Sequence, residues 1–158
     1  MSSGDLSGSR SAYRDGTIRC PGCSEIMRQE PVPSAEVDVC DHCGGLWIDW
    51  FDGDIPTLAV EAEAARVERG TPIPSGPAVA GNGICPRCTR ALQADTFRFP
   101  EATAEDLIDH VELLRCADCA GSFVPRASAH LLLERAKEPT QAAGLWEAVV
   151  ALLKRLVS

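Results

Sequence analysis

Two small, metal-stabilised, β-rich modules in tandem are the fold that the sequence predicts. Each module ends in a short helix, and an amphipathic helix follows at the C-terminal end. Three observations predict this. First, all eight cysteines of the 158-residue chain fall into four Cys-x-x-Cys pairs. Second, the pairs repeat: "CPGCSEIM" (20–27) resembles "CPRCTRAL" (85–92), and "CDHCGGLWI" (40–48) resembles "CADCAGSFV" (116–124). Third, each repeat is about 50 residues long, a size at which an apolar core is marginal without a staple.

The elements follow in order. Residues 1–17 are rich in Ser and Gly and read as a disordered tail. The first module spans 18–69. Within it "AEVDVC" alternates, with Val37 and Val39 on one face and Glu36 and Asp38 on the other, as in a strand. A helix is predicted over 56–70, with Pro56 near its start and Gly70 at its end. Residues 70–83, with three prolines and four glycines, read as a linker. In the second module, 84–138, "DTFRFP" (95–100) and "HVELLRC" (110–116) read as a hairpin, followed by a helix over 126–138. In the tail, 139–158, Leu145, Trp146, Val149, Val150, Leu152, Leu153, Leu156 and Val157 fall on one arc of about 160° at helical period.

Composition narrows the function. The N-terminal stretch has no apolar core of a secretory signal, and no run reaches the ~18 apolar residues of a membrane span. A cytoplasmic protein is expected, where grouped cysteines bind metal more often than they form disulfides. The formal net charge is −8, and the first 54 residues hold ten acidic against four basic side chains. No segment offers the basic face that drives affinity for phosphates, which counts against nucleic acid. The one aromatic–basic interleave is "TFRF" (96–99), and it keeps nucleic-acid binding as the runner-up.

The cysteines carry the chemistry. Cys20, Cys23, Cys40 and Cys43 form CxxC-x16-CxxC, and Cys85, Cys88, Cys116 and Cys119 form CxxC-x27-CxxC. Two intervening residues let a tight turn aim both sulfurs at one ion, and a hairpin returns a second turn opposite the first. Four sulfurs at about 2.3 Å then close a tetrahedron, which predicts two Zn2+ ions, one per site; iron is also compatible with such a site. A closed set of thiolates leaves no open position for catalysis. Thioredoxin-like redox chemistry needs a single pair at a helix start, and no phosphate loop or Ser/His/Asp arrangement appears. His42 reads as a solvent-facing knuckle residue, and His110 and His130 as packing or surface residues. The chain reads as a non-enzyme.

"CPGCSEIM…VDVCDHCGGLWID" resembles the transcription factor IIB-type zinc-ribbon domain of small bacterial proteins. Cys20, Cys23, Cys40 and Cys43 match its ligands, and Gly44, Gly45, Trp47 and Asp49 match the signature that follows. The family's helix start, Gly-Glu-Leu, appears as "GDI" (53–55), displaced by the residues around Trp50 and Phe51. In the second copy Ala120, Phe123 and Pro125 replace the glycine, tryptophan and aspartate. The resemblance implies two tandem zinc ribbons, the second divergent, and a transcription-related or scaffolding role without an established reaction.

The expected function is zinc-binding protein interaction with an unidentified protein partner. Trp47 recurs as Phe123 and reads as packing. Trp50 and Phe51 have no such counterpart and are candidate contacts, with capping of a small core as the alternative. Leu145, Trp146, Val149 and Leu153 of the tail are further candidates; the tail helix could instead cover a ribbon or mediate self-association.

Overall fold

The computed structural model describes residues 16–72, 83–99, 109–137, 149–150 and 152–155. The expected N-terminal tail and interior of the linker lie almost wholly outside these residues, as do Leu145 and Trp146. The first repeat builds strands β1 (Arg28–Pro31), β2 (Glu36–Val39) and β3 (Leu46–Ile48), then helix α1 (Ile55–Glu68). The second builds β4 (Gln93–Arg98), β5 (His110–Arg115), β6 (Ser122–Val124) and α2 (Arg126–Lys137).

Local chemistry sets the ends of α1. The Asp54 carboxylate accepts from the Thr57 amide at 3.0 Å, satisfying one of the free N–H groups of the first turn. Pro56 sits in that turn, where a missing N–H costs nothing. Gly70 leaves the helix at φ +70°, a conformation open to glycine.

All six strands join one antiparallel sheet in the order β1-β2-β3-β6-β5-β4. The seam at its centre pairs equivalent strands of the two repeats, with Leu46 opposite Val124, Trp47 opposite Phe123 and Ile48 opposite Ser122. The sheet is therefore arranged symmetrically about the β3–β6 seam. Each three-residue strand is too short to stand alone, and pairing the two supplies each with a second neighbour.

The sheet is covered on both faces. On one, Val37, Val39, Leu46, Ile48, Val111 and Val124 meet Leu58, Ala59 and Ala62 of α1 and Ala129 and Leu132 of α2. Small residues on both helices let them pack against each other over the seam. On the other face lie Trp47, Phe123 and the cysteine knuckles, in one continuous cluster with Ile18 and Met27. Period-2 alternation places Val37 and Val39 inward as the sequence reading expects. Asp38, on the opposite face, is buried as well, because that face carries the second module's first knuckle.

The seam aromatics are exchanged between modules. The Trp47 ring lies on Gly121 in the last knuckle of the second repeat, and Phe123 lies on Gly45 and Gly22 in the first. A Cβ at Gly121 would stand 2.3 Å from the indole, and one at Gly45 would stand 2.4 Å from the phenyl ring, so neither position tolerates a side chain without movement. Trp47 is fully buried and its indole N–H donates to Asp49 Oδ1 at 2.9 Å. Trp47→Ala is expected to cost about 3–5 kcal/mol, measurable by urea unfolding of the metal-loaded protein. A loss below about 1 kcal/mol would show that the ring is not a core element.

Candidate metal centres

Each of the four knuckles repeats the same backbone chemistry. The amide after the second cysteine donates to the carbonyl of the first: Ser24 to Cys20 and Gly44 to Cys40 at 2.8 Å, Thr89 to Cys85 and Ala120 to Cys116 at 2.9 Å. The turn drives the residue after the second cysteine to positive φ in all four. Only Gly44 is a glycine there; Ser24, Thr89 and Ala120 take φ of 67°, 58° and 57°. Left-handed backbone is uncommon for residues with a Cβ, so these turns are held by what they surround.

What they surround is sulfur. Cys20, Cys23, Cys40 and Cys43 bring four Sγ atoms within 4.8 Å of one another, and Cys85, Cys88, Cys116 and Cys119 do the same. The Sγ–Sγ separations include 3.5 Å for Cys20–Cys43, 3.3 Å for Cys23–Cys40 and 3.7 Å for Cys85–Cys119. A tetrahedron with metal–sulfur bonds of about 2.3 Å has edges of about 3.8 Å, so both sets fit Zn2+ with little adjustment. Backbone amides support the sulfurs: Gly22 N–H points at Cys20, Cys43 at Cys40, Gly45 at Cys43, Cys88 at Cys85 and Gly121 at Cys119, at 3.3–3.4 Å. Such donors favour the thiolate form that metal requires. The two centres therefore accept two Zn2+ ions, one each.

Without metal, the crowded thiols pull against one another. Hydrogen bonds from Cys20 and Cys43 hold Cys40 far below the usual thiol range, while the same contact pushes Cys20 up. Cys43 is drawn down by Cys20 but raised more by Cys40 and burial, to about 11. Burial and then Cys119 raise Cys88 to about 11. Loading must displace the remaining protons, so bound metal favours high pH and is lost as acid returns protons to sulfur. Metal occupancy, followed by native mass spectrometry across an acid titration, is expected to fall along with loss of the sheet's circular dichroism. Occupancy independent of pH would exclude thiolate ligation.

A divalent ion on four thiolates carries a formal charge of −2, and the first centre has cations beside it. Arg66, nearly fully buried on α1, donates to the carbonyls of Gly44 and Gly45. The Arg126 stem covers Gly44, and its guanidinium binds both oxygens of Glu63 at 3.1–3.2 Å. Arg126 also donates to the Pro72 carbonyl at 2.6 Å. The two modules are joined by Arg87, the residue inside the Cys85–Cys88 knuckle. Its guanidinium reaches Asp38 at 3.3 Å and Asp49 at 3.1 Å, with all three side chains buried. Sequence reasoning missed this network and the Arg126–Glu63 pair, since partners 38 to 63 positions apart leave no local pattern.

The other expected residues are placed as follows. Trp50 is 63% exposed. Phe51 is half-buried and meets Trp50 edge to face at 5.6 Å. Val149 and Leu153 are helical and exposed. His42 faces solvent, while the half-buried His130 lies 3.3 Å from Glu63. The "TFRF" interleave is split by the pleat: Phe97 and Phe99 turn together toward the helices, and Arg98 takes the other face and pairs with Asp109 at 3.0 Å. It forms no stacking platform.

No helix among the described residues is long and apolar enough to cross a membrane. No curated protein and no solved structure matches the chain. A family model, the transcription factor zinc-finger, matches residues 19–52. That span contains Cys20, Cys23, Cys40 and Cys43 and ends after Trp47, Trp50 and Phe51. Residues 19–52 are thus a zinc ribbon of the transcription factor IIB type, and a second four-cysteine centre of the same construction is built from the other half of the chain.

Proposed function

We propose that the protein is a non-enzymatic, zinc-dependent interaction module that works in the cytoplasm, binds a protein partner through Trp50 and Phe51, and serves transcription. The observation that carries the reading is the exposed Trp50 with the half-buried Phe51 at its edge, a pair present in the first ribbon and missing from the second. Trp50 stands 63% exposed on the loop between β3 and α1, next to Asp49, which binds Arg87 of the second centre's first knuckle. The exposed Asp54 follows it in sequence, so a partner with apolar and basic groups is complementary. Four-thiolate centres are closed to substrate, which supports a structural rather than a catalytic use of the metal. The association with transcription rests on the family that residues 19–52 match.

Replacing Trp50 and Phe51 together with Ala tests this. Partner capture from native cells is expected to fall by tenfold or more, as for loss of an aromatic hot spot of about 2 kcal/mol, with both zinc ions retained. Undiminished capture would sink the proposal. Retention on nucleic acid at low salt, steeply lost as salt rises, would favour the runner-up.

A further inference from the structure

A groove of about 540 Å³ opens on the helix-covered side of the sheet, away from both metal centres. Its walls are Pro56 and Val60 of α1, Phe97 and Phe99 at the end of β4, and Leu132 and Ala136 of α2. The lining is almost wholly apolar. Two charges stand on its rim, Glu61 on the α1 side and Arg135 on the α2 side, the latter 5.0 Å over the Phe99 ring.

A second uncovered apolar surface belongs to the same chain. Residues 149–150 and 152–155 are helical, and Val149, Leu152 and Leu153 are 38%, 60% and 54% exposed. These three lie at i, i+3 and i+4, one stripe of a helix. In sequence the stripe extends to Leu145 and Leu156. We propose that the groove is the seat of this C-terminal helix, docked in cis by its Val149–Leu152–Leu153 face. The proposal is independent of the partner read for Trp50 and Phe51.

Chain geometry favours the same chain as occupant. Arg135 and Ala136 are in the last turn of α2, so the chain leaves α2 at the lip of the groove. Eleven residues separate Lys137 from Val149, a tether whose extended reach is up to about 40 Å and which sets a millimolar effective concentration.

Hydrogen exchange on the full-length, zinc-loaded protein tests it, with Val60→Asp to spoil the groove and Leu153→Asp to spoil the tail. Docking predicts that amides 149–155 exchange about tenfold or more slowly in the parent than in Val60→Asp, at any protein concentration. In Leu153→Asp, the amides of Phe97 and Phe99 are expected to exchange faster while both zinc ions stay bound. Tail exchange identical in the parent and Val60→Asp would overturn the assignment of the seat. Protection that fades on dilution, together with a dimer mass, would place the helix of a second copy there instead. Should Val60→Asp fail to hold zinc, the Leu153→Asp result decides: unchanged exchange at Phe97 and Phe99 overturns the proposal.

Discussion

Cys116→Ser alone is expected to strip zinc from both centres and to dissolve the whole six-stranded sheet. A structural zinc site supplies about 10–16 kcal/mol of apparent binding energy, whereas a domain's net stability is only about 5–15 kcal/mol. Losing one ion therefore costs as much as the fold has in reserve, or more. The collapse is not confined to the second repeat, because Phe123 packs on the first repeat's Gly22 and Gly45 while Trp47 packs on Gly121. The seam ladder β3–β6 and the buried Arg87 contacts to Asp38 and Asp49 cross the same boundary. Native mass spectrometry should show a metal-free chain, and far-ultraviolet circular dichroism a loss of most strand signal. A strong chelator should produce the same state from the parent protein. A variant that keeps one zinc and half of the sheet would show two autonomous modules and refute the coupling.

Arg126→Met is expected to cost about 3–5 kcal/mol, with both zinc ions still bound under native conditions. Methionine preserves the stem that covers Gly44 but removes the guanidinium that binds both oxygens of Glu63. Glu63 is completely buried, so its carboxylate would be left with Arg66 at 3.8 Å and His130 at 3.3 Å. Adding Glu63→Met removes the stranded charge as well, and the double variant should recover most of the loss. Urea unfolding of the three zinc-loaded proteins separates the causes. A double variant as unstable as the single one would show that the guanidinium's donors to the Pro72 and Thr71 carbonyls, not the stranded charge, are what Arg126 supplies.

What the sequence made legible follows from range. Ligand spacing is a local property, and all eight cysteines reach their places in two sets of four. Val37 and Val39 read inward because alternation is local too, and Asp54, Pro56 and Gly70 mark α1 for the same reason. The seam was not legible. "LWI" and "SFV" are three residues each, apolar throughout or nearly so, and their pairing spans more than 70 positions. Asp38 misleads in a related way: alternation assigns it a face, but nothing local says that the face is roofed by a knuckle carrying Arg87. The recurrence of an aromatic at 47 and 123 signalled packing, without showing that each ring serves the other's centre. Trp50 stood out only by lacking a counterpart, and its exposure agrees with that asymmetry.

The seam also has a consequence in time. Strand β3 leaves the ribosome with its outer edge bare, and the strand that will cover it lies roughly 75 residues downstream, about 4–15 s of synthesis. During that interval the first ribbon can take up zinc and close its hairpin, yet it exposes an apolar ladder edge able to pair with any similar strand nearby. Neighbouring chains on one messenger would present the same edge to each other. The second ribbon is thus a built-in chaperone for the first, and the order of translation makes its arrival the step that ends the vulnerable period.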